Sequence, residues 1–228
     1  MKTFYRLGSI VLILMCLTLL QSCGLSNKKI RASEGESANV LMYEVPDFDE
    51  ILINCASDVV YVAGSGASTI TVTAQDSTSK NVSIKVVEHK LHIGIKDGAM
   101  CDSLHIEIHG TPMLEDIELL GATKMKVVGA LIPRNLDVDC NGASTIEINE
   151  VSCTELNIDC LGASFTNISN IICEEVDVDC NGASKVKLNG RCQVAKYEAN
   201  GASSIDVSSF ESVNVEKLVN NESSSIVK

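Results

Sequence analysis

The chain has 228 residues, 45% of them hydrophobic, with a formal charge of −12, ten cysteines and no tryptophan. So acidic a surface excludes nucleic acid as a partner, because neutralising phosphates takes clustered Lys and Arg. It equally excludes charge-driven docking on an anionic bilayer, so membrane attachment has to come from a lipid.

The N-terminus points to such a lipid. Lys2 and Arg6 give a positive start, and 7–20 is an apolar run too short for a stable span but suited to a secretory signal. Leu20-Gln21-Ser22-Cys23 resembles the lipobox of bacterial lipoproteins. The resemblance implies cleavage after Ser22 and lipid attachment at Cys23, with the membrane as a partner through that lipid. Gly24 stands where inner-membrane retention signals carry Asp, and Asn27-Lys28-Lys29-Ile30-Arg31 is basic where surface-export signals are acid-rich. Both features point to the outer membrane, on its periplasmic leaflet. The expected organisation is a signal peptide over 1–22, a polar tether over 23–39 and a single domain over 40–228. Loss of Lys2 and Arg6, with no acid before Cys23, takes the charge from −12 to −14.

From residue 40 onward the chain is rich in Val, Ile and Thr, and it holds three prolines in all. Apolar residues recur with period 2 and nowhere with period 3.6, which predicts short strands and almost no helix. Gly64-Ser65-Gly66-Ala67-Ser68 reads as a corner that introduces a strand at Thr69. The four histidines, His89, His92, His105 and His109, all lie within 21 residues. Alternation puts His105, Glu107 and His109 on one strand face, but residues i and i+4 sit ~13 Å apart. One metal ion could be held there only if His92 arrived on a paired neighbouring strand.

After residue 120 the chain repeats itself. Gly121-Ala122-Thr123, Gly142-Ala143-Ser144, Gly162-Ala163-Ser164, Gly182-Ala183-Ser184 and Gly201-Ala202-Ser203 recur at steps of 21, 20, 20 and 19. Asn221-Glu222-Ser223-Ser224 is a degenerate further copy. The flanks align as well: Leu136-Asp137-Val138-Asp139-Cys140 with Leu156-Asn157-Ile158-Asp159-Cys160 and Val176-Asp177-Val178-Asp179-Cys180. A period near 20 residues built of short strands is the signature of a solenoid. Leu136, Val138 and Cys140 share the inner face; Asp137 and Asp139 share the outer one. Beyond the corners, Ile146 and Ile148, Phe165 and Ile168, Val186 and Leu188, and Ile205 and Val207 are the expected core residues. Asn141, Asn181, Asn200 and Asn221 suit the corner through their tolerance of left-handed backbone. The competing architecture turns each Asn-Gly into a hairpin and yields an antiparallel meander, closed as an outer-membrane barrel or packed as a soluble sandwich.

Two columns follow from the period. Cys140, Cys160, Cys180 and Cys153, Cys173, Cys192 would each stack in register, with Cβ atoms ~4.8 Å apart, beyond the usual disulfide range. The expectation is inward free thiols, with Cys55 and Cys101 outside any column. Asp139, Asp159, Asp179 and Glu198 form an outward column beside Asp137, Asn157, Asp177 and Lys196. Stacked like charges repel, so this stripe is either a solvated face or a surface for cations or a basic partner.

The repeats, with 43–51, Lys90-Leu91-His92-Ile93 and Thr111-Pro112-Met113-Leu114-Glu115-Asp116-Ile117, resemble the autotransporter-adhesin head GIN domain family. The similarity spans 40–228. It implies an all-β, right-handed parallel β-helix and an adhesin-like role, and it brings no catalytic residues, cofactor or metal ligands. The reading is a non-enzymatic outer-membrane binding or scaffold module with a protein or glycan partner, able to form homo-oligomers. Alternatives are a β-helical polysaccharide-active enzyme, which needs a singular acid with Arg, Lys or His on one coil, and a cation-dependent module. Arg134 and Arg191, the only Arg beyond the tether, have no such neighbours in sequence.

Overall fold

The computed structural model describes residues 28–34, 39–75, 79–96, 104–221 and 223–228, and every named element is a strand. The first ten are β1 (Lys28–Glu34), β2 (Asn39–Glu44), β3 (Glu50–Asn54), β4 (Asp58–Ala63), β5 (Thr69–Ala74), β6 (Val82–Val87), β7 (Lys90–Ile95), β8 (His105–Gly110), β9 (Asp116–Leu120) and β10 (Lys124–Val128). The repeats supply β11 (Asn135–Gly142), β12 (Thr145–Ile148), β13 (Val151–Ser152), β14 (Glu155–Gly162), β15 (Phe165–Ile172), β16 (Glu175–Gly182), β17 (Lys185–Ala199), β18 (Ser204–Asn220) and β19 (Ser225–Val227). Signal segment, Cys23 and Cys101 lie outside the described residues. The stretch expected as a tether also contributes β1, which pairs antiparallel with β2.

The strands wind into a β-solenoid of about six turns. Its first face is a parallel ladder of β7, β3, β9, β11, β14, β16, then 194–199 of β17 and 214–220 of β18. The second face stacks β8, β4, β10, β12, β15, 185–189 of β17, the start of β18, and β19. β13 begins a narrower third face with the later parts of β15, β17 and β18. From residue 121 onward every pairing is parallel, so the Asn-Gly sites are corners and not hairpins.

The N-terminal region departs from a simple winding. β7 and β8 stack on the far side of β3 and β4, so this coil precedes in space the one it follows in sequence. Antiparallel strands cover that end: β6 on β7, and β5 on β8, with β2 and β1 beyond. A solenoid end exposes unpaired backbone, and a change of strand direction is one way to finish it.

In the repeats the corner carries the stacking. Gly142, Gly162, Gly182 and Gly201 hold φ between +77° and +91°, where a side chain strains the backbone. A Cβ at these positions would meet the carbonyl oxygen of the preceding coil's Gly at 2.6–2.9 Å. That carbonyl accepts from the next residue's N–H: Ala143 to Gly121, Ala163 to Gly142, Ala183 to Gly162 and Ala202 to Gly182, all at 2.7 Å. The third corner residue turns inward. Thr123, Ser184 and Ser203 donate their hydroxyls to the carbonyls of Cys55, Cys160 and Cys180, and Ser224 donates to Ala199. The corner Asn takes no left-handed conformation. Asn141 and Asn181 remain within β11 and β16, Asn200 and Asn221 directly follow β17 and β18, and two of the amides serve a carboxylate two positions back: Asn181 to Asp179, and Asn200 to Glu198.

Between corners, side chains alternate as the period requires. Leu136, Val138 and Cys140 are buried against Leu156, Ile158 and Cys160, then Val176, Val178 and Cys180, then Ala195, Tyr197 and Ala199. Each large aliphatic contributes about 1.5–3 kcal/mol on burial. The six column cysteines are free thiols, all buried except half-buried Cys153, and burial pushes the Cys192 thiol up to about 11. One expected core residue is displaced. Thr166, not Phe165, aligns with Ile146 and Val186 in the buried column. Counting from the corner Gly puts Phe165 level with Thr145, and the Thr166 hydroxyl is accommodated 3.2 Å from the Cys160 thiol.

If close approach governs stacking, two glycine substitutions should differ. Gly121 has φ +82° but open space where its Cβ would go, so Gly121→Ala should cost about 1 kcal/mol of backbone strain. Gly162→Ala adds a collision with the Gly142 carbonyl and should cost at least about 2–3 kcal/mol. Urea unfolding of both variants checks this; equal losses would mean that stacking contact adds nothing.

Candidate functional site

The outer side of the first face carries two columns. One runs Lys90, Glu50, Asp116, Asp137, Asn157, Asp177, Lys196, Lys217. The other runs His92, Leu52, Glu118, Asp139, Asp159, Asp179, Glu198, Val219. Period-2 alternation pointed both outward, and the 20-residue repeat stacked them. The result is a groove of about 470 Å³ lined by carboxylates from Asp116 to Glu198.

Cations bracket this ladder at its ends. At the N-terminal end Lys90 reaches Asp116 at 2.7 Å, Glu118 at 3.4 Å and Glu50 at 3.6 Å. At the other end Lys196 pairs with Glu175, and Lys217 with Glu198. Lys217 and the Asn200 amide hold the Glu198 carboxyl below its ordinary range. In the middle, Asn157 replaces a carboxylate and donates to Asp137 at 2.8 Å. Among the described residues no lysine forms an ion pair with Asp139 or Asp159. Partial burial, then the charge of Asp159, pushes Asp139 up to about 6. Asp159 and Asp179 are raised for the same reasons, by burial and by the next acid along the column.

The histidines assemble no metal centre. His105, Glu107 and His109 do share an exposed face, and His109 Nε2 lies 2.7 Å from Glu107 Oε1. His92, however, is on β7, which pairs with β3 and β6 and never with β8. Among the described residues no three His, Cys, Asp or Glu side chains converge so as to hold a metal ion. Arg134 and Arg191 are both exposed and lie away from the ladder groove. What sequence reasoning missed is the bracketing: Lys90 and Lys217 are far from the repeats or outside their pattern, and only β3–β7 pairing and the β18 bulge bring them onto the columns.

Residues 47–170 match the sequence profile of the family described as "Putative auto-transporter adhesin, head GIN domain". The chain belongs to this family. The match covers more than half its length and spans the transition from the antiparallel end into the repeats. Solved structures share the fold. A "putative lipid binding protein" from Parabacteroides distasonis superposes with TM-score 0.76 at 14% identity, over 87% of this chain and 84% of that one. A "putative adhesin" from Bacteroides fragilis gives 0.65 at 16%, over 85% and 97%. Another from Parabacteroides distasonis gives 0.56 at 16%, over 85% and 98%. At such identities the likeness establishes the winding and not the ligand. No curated protein matches the sequence.

The raised carboxyl gives the ladder a pH signature. Asp139 holds its proton up to about pH 6 when folded and to about pH 4 when unfolded. The folded state therefore binds more protons across that window, and stability falls as pH rises from about 4 to 6. Asp139→Asn removes the repulsion. It should raise Tm at pH 7.5 by about 2–4 °C, allowing for screening at this partly exposed site, and the difference should vanish at pH 4. Melting curves at the two pH values test this; a variant less stable at pH 7.5 would contradict it.

Proposed function

We propose that the protein is a non-enzymatic, adhesin-like binding module of the cell envelope whose carboxylate ladder docks a basic protein surface. The observation that carries this reading is the uncompensated centre of the ladder, Asp139 and Asp159, where partial burial and then the neighbouring acids raise each carboxyl's affinity for protons. Such a stripe costs stability. A partner rich in Lys or Arg would relieve that repulsion along several coils at once, with fast, salt-sensitive association. The same carboxylates recur coil after coil, as an extended contact surface requires. A general acid–base pair would be a singular arrangement.

The lipobox-like 20–23 stretch supports attachment through Cys23, and the residues after it support the periplasmic leaflet of the outer membrane. Substitution Cys23→Ser should then move the protein from the membrane fraction to the soluble fraction; retention in the membrane would refute the anchor.

Binding to immobilised poly-L-lysine tests the docking face. The full chain should bind, weakening as salt rises. The combined variant Asp137→Asn, Asp139→Asn, Asp159→Asn, Asp179→Asn should lose at least tenfold in affinity while staying folded. Unchanged affinity would rule the face out, and turnover of a uronic-acid polysaccharide would overturn the non-enzymatic reading.

A further inference from the structure

A second concavity, separate from the ladder groove, lies at the start of the winding. It is a cleft of about 420 Å³ whose walls come from four distant stretches. These are the residues before β3, the Gly64-Ser65-Gly66 loop after β4, the β6–β7 turn at His89, and the residues before β9. Backbone hydrogen bonds fix their positions. Asp49 and Glu50 donate N–H to the His89 carbonyl at 3.2 and 3.4 Å, and Glu115 donates to the Asp49 carbonyl at 2.7 Å. His89, Asp49 and Glu115 thus open three adjacent strands, ~4.8 Å apart per step. Asp47 is oriented by the Ser68 hydroxyl at 3.1 Å.

The lining mixes chemistries in a way the ladder does not. Phe48, 2% exposed, forms an apolar floor, and Pro112 and Met113, the latter 45% exposed, form an apolar rim. Asp47, Asp49, Glu115, His89 and Ser65 line the same cleft. No Lys or Arg lines the cleft, and among the described residues no ion pair engages Asp47, Asp49 or Glu115. His89 is presented by a two-residue turn in which Glu88 and His89 both take positive φ, 51° and 66°. This costs about 1–2 kcal/mol per residue without glycine. The carbonyl contacts from Asp49 and Glu50 hold the turn in place.

A small cavity with an apolar floor and a few convergent polar groups selects a compact ligand presenting one apolar face and several donors. Ring hydroxyls answer the carboxylate and imidazole acceptors, and a protonated amine answers the negative charge that no lysine neutralises. We propose that this cleft binds an amino sugar of the hexosamine class, its ring over Met113 and Pro112 and its ammonium group between Asp49 and Glu115. The site shares no residue with the ladder, so the two readings stand or fall separately.

Titration calorimetry of the full chain with glucosamine tests the proposal, in slightly acidic buffer where the sugar amine is charged. Glucosamine should bind saturably. N-acetylglucosamine, which lacks the charge, and 1,5-diaminopentane, which lacks the ring, should each bind at least tenfold more weakly. Asp49→Asn combined with Glu115→Gln keeps side-chain shape and both backbone bonds, and it should lower glucosamine affinity at least tenfold. Met113→Ala, at the exposed rim, should lower it severalfold with no change in Tm, whereas Asp159→Asn on the ladder should leave it unchanged. Absence of saturable glucosamine binding, equal binding of 1,5-diaminopentane, or an equal loss in Asp159→Asn would each overturn the proposal.

Discussion

At each repeat corner the glycine carbonyl lies too close, 2.6–2.9 Å, to where a Cβ on the next coil's glycine would be. That contact, closed by an N–H···O bond of 2.7 Å at four successive corners, sets how closely coils approach and in which register. Everything else in the repeats inherits it. With register fixed to the residue, a side chain at one position must lie over its counterpart one coil away, and columns of like residues follow. Inside, this is favourable: aliphatic on aliphatic, thiol on thiol, and the corner hydroxyls of Thr123, Ser184, Ser203 and Ser224 bonded to carbonyls of the coil before. At Gly142, Gly162, Gly182 and Gly201 the close approach calls for a glycine, and a small hydroxyl residue is suited to the space behind it.

Outside, the same register is a liability. Carboxylates cannot move away from the carboxylates above and below, so the first face stores repulsion that solvent only partly screens. Relief comes at the margins, through Lys90 at one end and Lys196 and Lys217 at the other, and part-way along from Asn157, where a fourth aspartate would stand. Amides from Asn181 and Asn200 help the neighbouring column. The centre, around Asp139 and Asp159, is left with raised proton affinity. A face that departs from the stability optimum in one place and is balanced at its borders is where a binding role is best sought.

Legibility in the sequence followed the repeat. Once 136–140, 156–160 and 176–180 are aligned, the parallel stacking, the inward cysteines and the outward acids follow from period 2 and the step of 20. Phe165 shows the limit of judging by hydrophobicity: register, counted from Gly162, assigns the buried place to Thr166. Asn181 and Asn200, each just before a corner, serve a side-chain bond to a carboxylate and not backbone tolerance. Before residue 121 no repeat constrains the winding. Nothing local could reveal that β7 and β8 stack ahead of β3 and β4, or that β5 runs antiparallel to β8. Both facts decide the functional landscape, since they bring Lys90 to the ladder, keep His92 away from His105 and His109, and assemble the cleft at Asp49, His89 and Glu115.

The central claim, in-register parallel coils with the thiols turned inward, is most directly tested by maleimide labelling of the folded full chain, read residue by residue by peptide mass spectrometry. Cys140, Cys160 and Cys180 should remain unlabelled until the protein is denatured, while half-buried Cys153 labels first. Rapid native labelling of that inner column, or a disulfide joining Cys140 to Cys160, would contradict the account.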